Sequence, residues 1–210
     1  MRRYWTPIRV TKSDAAGGRS QSELPNAIFM TDSQRTPNPL PIIRSLPAKT
    51  GVILRHYEDP ERHQLIEKIR YYCKKRALFF ILALTETPIA LPAADGYHLP
   101  EHLCININRV EISRLSRLGK ITASAHSEAS LRTIAALGID AALLSPIFQT
   151  MSHPEQLPIG LHRFFRILER AKLPVFALGG VESKKLTCVS RQRNFAGMAG
   201  IALFRRKIRN

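Results

Sequence analysis

The chain has 210 residues, 44% of them hydrophobic, and a formal net charge of +16 from 32 Lys and Arg against 16 Asp and Glu. That length buries one core, as a single α/β barrel does, while the longest apolar run, ALFFILAL at 77–84, is strand length and far short of the roughly 18 residues that cross a bilayer. The charge favours a phosphorylated or polyanionic partner, but its basic residues are scattered without an aromatic-basic or zinc-finger signature, which argues against nucleic acid.

In chain order, residues 1–26 are polar, contain AAGGRSQS and read as a flexible leader. Met1–Trp5 is basic, yet no apolar stretch or small-residue cleavage site follows, so it is not read as a signal peptide and the cytoplasm is the expected location. From Asn26 onward, apolar runs of strand length alternate with segments of helical period. AIFMTD precedes a helix near PLPIIRSL, GVILRHY precedes PERHQLIEKIRYYCKKR, and ALFFILAL precedes a short helix near PIAL. DGYHL is followed by INRVEISRLSRL, KITASA by SEASLRTIAALG, DAALLSP by GLHRFFRILERA, PVFALGG by ESKKLTCVS, and FAGMAGI by a last helix near Ile201. Pro60 suits a first helical turn, Leu65, Ile66 and Ile69 share a face, Ser127 is an N-cap, and Gly138 sits where a helix ends in a left-handed residue.

Eight strand-helix units imply parallel strands with right-handed crossovers, and a closed (β/α)8 barrel is expected over residues 27–204, with a basic tail at 205–210. Cys73, Cys104 and Cys188 lack disulfide or metal spacing and are expected to be free thiols. In such a barrel the chemistry lies on the loops after the strands. Those loops carry Thr31 and Asp32, Arg55 and Tyr57, Thr85 and Glu86, His98 and Glu101, Ser124 and His126, Ser145 to Ser152, Gly179 and Gly180, and Gly200 to Ala202. Gly179 and Gly180 let an oxyanion approach the backbone N–H groups, and a helix start near Ile201 adds a favourable dipole; the same pair also reads as a plain turn leaving a strand.

The order TASAHSEASL, LGIDAALLSPIFQTMSHP, PIGL and PVFALGGV resembles the second half of the thiamine phosphate synthase and TenI family, and FMTD, VILRHY and DGYHLP follow its earlier segments collinearly. Two activities come with the resemblance. The synthase joins a pyrimidine pyrophosphate to a thiazole phosphate with Mg2+ on the departing pyrophosphate; the tautomerase aromatises a thiazole carboxylate phosphate without a metal. Against the synthase pattern, Arg55 is kept but His56 and Tyr57 replace Glu and Lys, Ile53 replaces Gln, and Thr85 and Glu86 replace Asn and Asp. Leu103 stands at the second metal carboxylate, His153 at a lysine, and Ala202 at a phosphate-facing Ser.

The tautomerase therefore comes ahead of the synthase, with a non-catalytic module that binds thiazole or thiamine phosphate as a further alternative. The resemblance makes His126 the catalytic acid-base group, where the residues alone leave it a histidine beside an N-cap. It also implies substrate contacts from Arg55, Thr85, Ser124, Thr150 and Ser152, and phosphate contacts from Gly179, Gly180, Gly200, Ile201 and Ala202. No cofactor is required by the tautomerase; a synthase would hold Mg2+ through Glu86. The expected partners are a small phosphorylated thiazole, a pyrimidine pyrophosphate in the synthase case, and no membrane; a homo-oligomer is left open.

Overall fold

Short, largely buried strands are the common feature of the computed structural model, which describes residues 24–150 and 155–205. Most of the expected leader, residues 206–210 of the tail, and Ser152 lie outside the described residues. The strands are β1 (Ala27–Met30), β2 (Gly51–Leu54), β3 (Phe79–Ala83), β4 (Gly96–Leu99), β5 (Lys120–Ala125), β6 (Ala141–Leu144), β7 (Val175–Ala177) and β8 (Phe195–Gly200). All neighbours are parallel and β1 pairs with β8, so the sheet closes into an eight-stranded barrel. Parallel strands covered on both faces need apolar residues at successive positions, and AIFM, GVIL and AALL supply them.

Around the barrel run α1 (Leu40–Ser45), α2 (Arg62–Lys75), α3 (Glu101–Asn106), α4 (Arg109–Leu118), α5 (Glu128–Ala136), α6 (Leu161–Arg170) and α7 (Ala202–Arg205). Ile66, Ile69 and Cys73 of α2 are buried and Leu65 packs at the edge of the core. Ser127 caps α5 in a reciprocal pair with Ser130, and Gly138 follows that helix at φ +76°. Asn108 and Glu111 make the same kind of box on α4. At the N-terminal rim two carboxylates tie strand starts together. Asp140 accepts from the Ile121 N–H at 2.8 Å and from Lys120 Nζ at 2.7 Å, and Asp95 accepts from the Phe80 N–H at 2.7 Å. Cys73 and Cys104 are buried free thiols and Cys188 an exposed one, as their spacing implies. No helix among the described residues is long and apolar enough to cross a membrane.

The structure departs from the local sequence reading in five places. No helix forms near Pro88–Leu91: a helix there would need residue 92 to donate to the carbonyl of residue 88, and Pro92 has no N–H and crowds that carbonyl. The segment is held from outside instead, by Arg114, which donates to the carbonyls of Ile89 at 2.9 Å and Thr87 at 3.4 Å, and by Thr87 on Glu111 at 2.7 Å. The helix expected over ESKKLTCVS shrinks to a 3-10 turn at Ser183–Leu186, where the Thr187 hydroxyl donates to Lys184 and that of Ser190 to Thr187 in competition with helical bonding. Pro60 precedes the N-cap Glu61 of α2 and so lies outside its first turn. Finally, α3 is a helix that the hydrophobic period does not mark, and Leu24, assigned to the leader, packs against the core.

Closure depends on one close approach. The Met198 N–H donates to the Asn26 carbonyl at 3.0 Å, and beside it Gly197 has φ +140°, with the position of a Cβ falling 2.0 Å from the Asn26 oxygen. Gly197→Ala therefore strains the backbone and parts β8 from the segment leading into β1. The expected loss is on the order of 3 kcal/mol, read as a fall in Tm of about 6–12 °C. A variant that melts within 2 °C of the parent, by about the same scale, rejects this account of closure.

Candidate active site at the barrel mouth

The C-terminal strand ends converge on one rim, which gathers Arg55 after β2, His98 on β4, Ser124 and His126 at the end of β5, Ser145 after β6 and Gly179 after β7. Thr31, buried after β1, accepts from the Arg55 N–H at 2.9 Å and pairs with His56 Nδ1 at 2.9 Å. His56 is 1% exposed, and its Nε2 has no partner among the described residues.

His98 and Thr122 are register partners across β4 and β5, and Ser124 lies two residues further on the same face of β5. His98 Nδ1 is 2.9 Å from Thr122 Oγ1, and its Nε2 is 2.9 Å from Ser124 Oγ. The ring is 1% exposed. Burial drives its pKa down to about 3, and the Arg55 charge adds to the effect. A neutral imidazole donates from one nitrogen and accepts at the other. One hydroxyl of the pair thus gives its proton to the ring and the other receives one, which fixes the rotamer of Ser124 at the mouth.

His126 is set differently. Its side chain is 51% exposed. Its Nδ1 lies 3.0 Å from the Ser145 carbonyl and 3.2 Å from the Ser145 hydroxyl. A carbonyl only accepts, so Nδ1 carries the proton and Nε2 is left with its lone pair when the ring is neutral. Nε2 stands 3.7 Å from Glu101 Oε2, on the first residue of α3. The cap bonds of α5 fix the approach, since Ser130 Oγ accepts from the N–H groups of His126 and Ser127.

The remaining expected residues fall in two places. Gly179 and Gly180 have φ +85° and +63°, and the positions of their Cβ atoms lie 2.9 Å from Pro146 Cα and 2.5 Å from the Gln149 carbonyl. The loop of residues 146–150 thus fills the space a side chain would need, with the Thr150 methyl 3.3 Å from the position a Cβ on Gly179 would take. The N–H groups of Gly179 and Gly180 donate to no described residue, while Gly200 ends β8, Ile201 follows it and Ala202 begins α7. Thr85 and Glu86 are exposed after β3, beside a cleft bounded by Arg62, Leu84, Pro88 and Leu91 rather than by His126 or Arg55. At Tyr57, burial raises the hydroxyl pKa while the Arg55 and Arg62 charges pull it down.

A resident divalent cation is not fitted by these donors. Leu103, a partly buried core neighbour, stands where a second carboxylate would be, and among the described residues no three His, Cys, Asp or Glu side chains gather into a site. Sequence reasoning placed His98 and Glu101 on this rim but gave neither a part in the chemistry. The overlooked signal is that Pro100 starts a helix, which sets Glu101 at the height of His126.

The family model described as Thiamine monophosphate synthase matches residues 31–206. The chain is 33% identical over 189 residues to the "Putative thiamine-phosphate synthase 2" of Aquifex aeolicus, a match spanning 87% of this chain and 98% of that protein. It is 28% identical over 191 residues to the thiamine-phosphate synthase of Prochlorococcus marinus strain MIT 9313, over 85% of this chain and 53% of that protein. The chain thus spans about half the length of the Prochlorococcus relatives it matches. The solved thiamine phosphate pyrophosphorylase from Pyrococcus furiosus shares the fold, with a TM-score of 0.65, 22% identity and 84% of each chain covered.

Neutral His98 ties stability to pH. Its pKa falls from the ordinary 6.5 to about 3 on folding, so between those values the unfolded chain binds more protons and stability drops as pH falls. The slope from this group reaches up to about 1.4 kcal/mol per pH unit. In denaturant titrations from pH 7 to pH 4.5, His98→Gln is expected to flatten the fall in stability; an unchanged slope contradicts a buried neutral ring.

Proposed function

This chain belongs to the thiamine monophosphate synthase family, and from that premise we propose that it binds a small phosphorylated thiazole at the barrel mouth and moves a thiazole proton through His126, as a tautomerase. The observation that carries the reading is the hydrogen bond from His126 Nδ1 to the Ser145 carbonyl, which leaves Nε2 free to take a proton from carbon. The reaction is an isomerisation: the proton leaves one carbon for Nε2, the C–H electron pair enters the ring system, and a proton returns at another carbon. Nothing is oxidised or reduced.

Arg55 is the group for a substrate carboxylate, through two parallel N–H donors. The hydroxyls of Ser124 and Thr150 supply polar contacts around the ring, whereas Thr85, which faces the separate cleft beside Arg62, is not among them. The phosphate is assigned to the backbone N–H groups of Gly179 and Gly180 and of Gly200, Ile201 and Ala202, a reading supported by the first two, whose N–H groups donate to no described residue. No metal enters this chemistry.

The names of the relatives favour a second reading, a divergent synthase joining a pyrimidine pyrophosphate to the thiazole phosphate. Mg2+ would then stand on Glu86, alone at the positions where the resemblance calls for two carboxylates.

The two readings separate in one experiment, in which the protein is given thiazole carboxylate phosphate with and without the pyrimidine pyrophosphate and Mg2+, and both products are followed. The tautomerase isomerises the thiazole in the absence of metal. His126→Asn then loses about 100-fold to 10,000-fold in turnover while inorganic phosphate still binds, and Glu86→Gln changes little. Metal-dependent pyrophosphate release abolished by Glu86→Gln establishes the synthase. Binding of thiazole phosphate without either product leaves a ligand-binding module.

A further inference from the structure

We propose that Glu101 is the second proton-transfer group of the site, working with His126 as a pair; the inference rests on His126 being the acid-base group. Three observations bring the two together. His126 has its Nδ1 proton committed to Ser145, so the only nitrogen open for transfer is Nε2. That nitrogen faces Glu101 Oε2 at 3.7 Å. Glu101 is held by the start of α3, a helix packed on β5 and α5, and its side chain is 29% exposed, so both groups open to the mouth.

Isomerisation takes a proton at one carbon and places one at another. A lone imidazole must reach both carbons with the same nitrogen, or wait for solvent. The pair divides the work. His126 Nε2 accepts the proton from the first carbon, whose C–H electrons move into the ring. The proton then crosses from Nε2 to Glu101 Oε2, which faces it. The carboxylic acid so formed gives it to the second carbon, and the site is left as it began, with a neutral imidazole and a carboxylate. Protons and electrons balance without a co-reactant. Other ionisable groups on α3 and α5 do not compete: the Glu128 carboxylate is turned to Arg163 at 3.6 Å, His102 beside Glu101 is exposed, and the Cys104 thiol is pushed up to about 11 by burial first and by the Glu101 charge next.

Glu101→Gln keeps the size and hydrogen-bonding capacity of the side chain but cannot hold the proton. The expected result is a kcat lowered on the order of 100-fold or more, with affinity for the thiazole phosphate within about threefold, less than 1 kcal/mol in binding. Glu101→Asp recovers part of the turnover, and the double variant Glu101→Gln, His126→Asn loses no more than the worse single one, because the residues act as a unit. Near-parental kcat in Glu101→Gln alongside an inactive His126→Asn overturns the pair and leaves the tautomerase reading intact. Should the parent protein isomerise nothing, that reading falls, and the pairing is decided without substrate by 15N spectra of the histidine rings. In ligand-free protein Glu101→Gln is expected to shift His126 Nε2 while Nδ1 stays in place, and an unmoved Nε2 resonance refutes the contact.

Discussion

The pairing of β8 with β1 is the contact on which the mouth depends. Thr31, Arg55, His98, His126, Ser145 and Gly179 are scattered over about 150 residues of sequence and become neighbours only when the sheet closes. Closure in turn needs a backbone without a side chain at residue 197, where β8 passes the Asn26 carbonyl. The two rims then divide the polar work. At the strand starts, Asp95 and Asp140 are consumed by backbone N–H groups and a lysine, which fastens the barrel. At the strand ends, histidines and hydroxyls sit among apolar residues with bonding capacity to spare.

That arrangement places two imidazoles in opposite roles. His98 is enclosed, bonded at both nitrogens and kept neutral by burial, so it takes no part in proton traffic at physiological pH and instead orients Ser124. His126 is half exposed and bonded at one nitrogen only. Depth below the rim separates a positioning ring from a reactive one. A buried neutral ring also makes the fold less tolerant of acid, an instance of stability yielded where function needs a polar interior.

Much of the fold was legible because period and punctuation agreed. Eight apolar runs of strand length, the Ser127 cap and Gly138 each carry a local cause that the structure repeats. What failed was set by less visible competition. Pro88 alone suits a helix start, yet Pro92 four residues on forbids the helix, and the hydroxyls of Thr187 and Ser190 draw ESKKLTCVS into turns. The glycine pair is a different case: its residues are legible as special, but the loop of residues 146–150 pressing on them gives a packing reason for glycine besides any ligand. For the facing of Glu101 and His126, Pro100 marks the helix start that brings Glu101 to the rim, but no pattern in either segment states how far the start of α3 stands from the end of β5.

The segment between β3 and β4 behaves as a strap. It has no helical bonds of its own, leaves Ile89 96% exposed, and hangs on α4 through Arg114 and Glu111. Those fastenings can release without breaking any strand pair, so hydrogen exchange in the strap is governed by a local opening that leaves the barrel closed. Thr85 and Glu86 stand at the near end of that strap, and their reach over the rim is set by side chains on α4, far from any group that would touch a substrate.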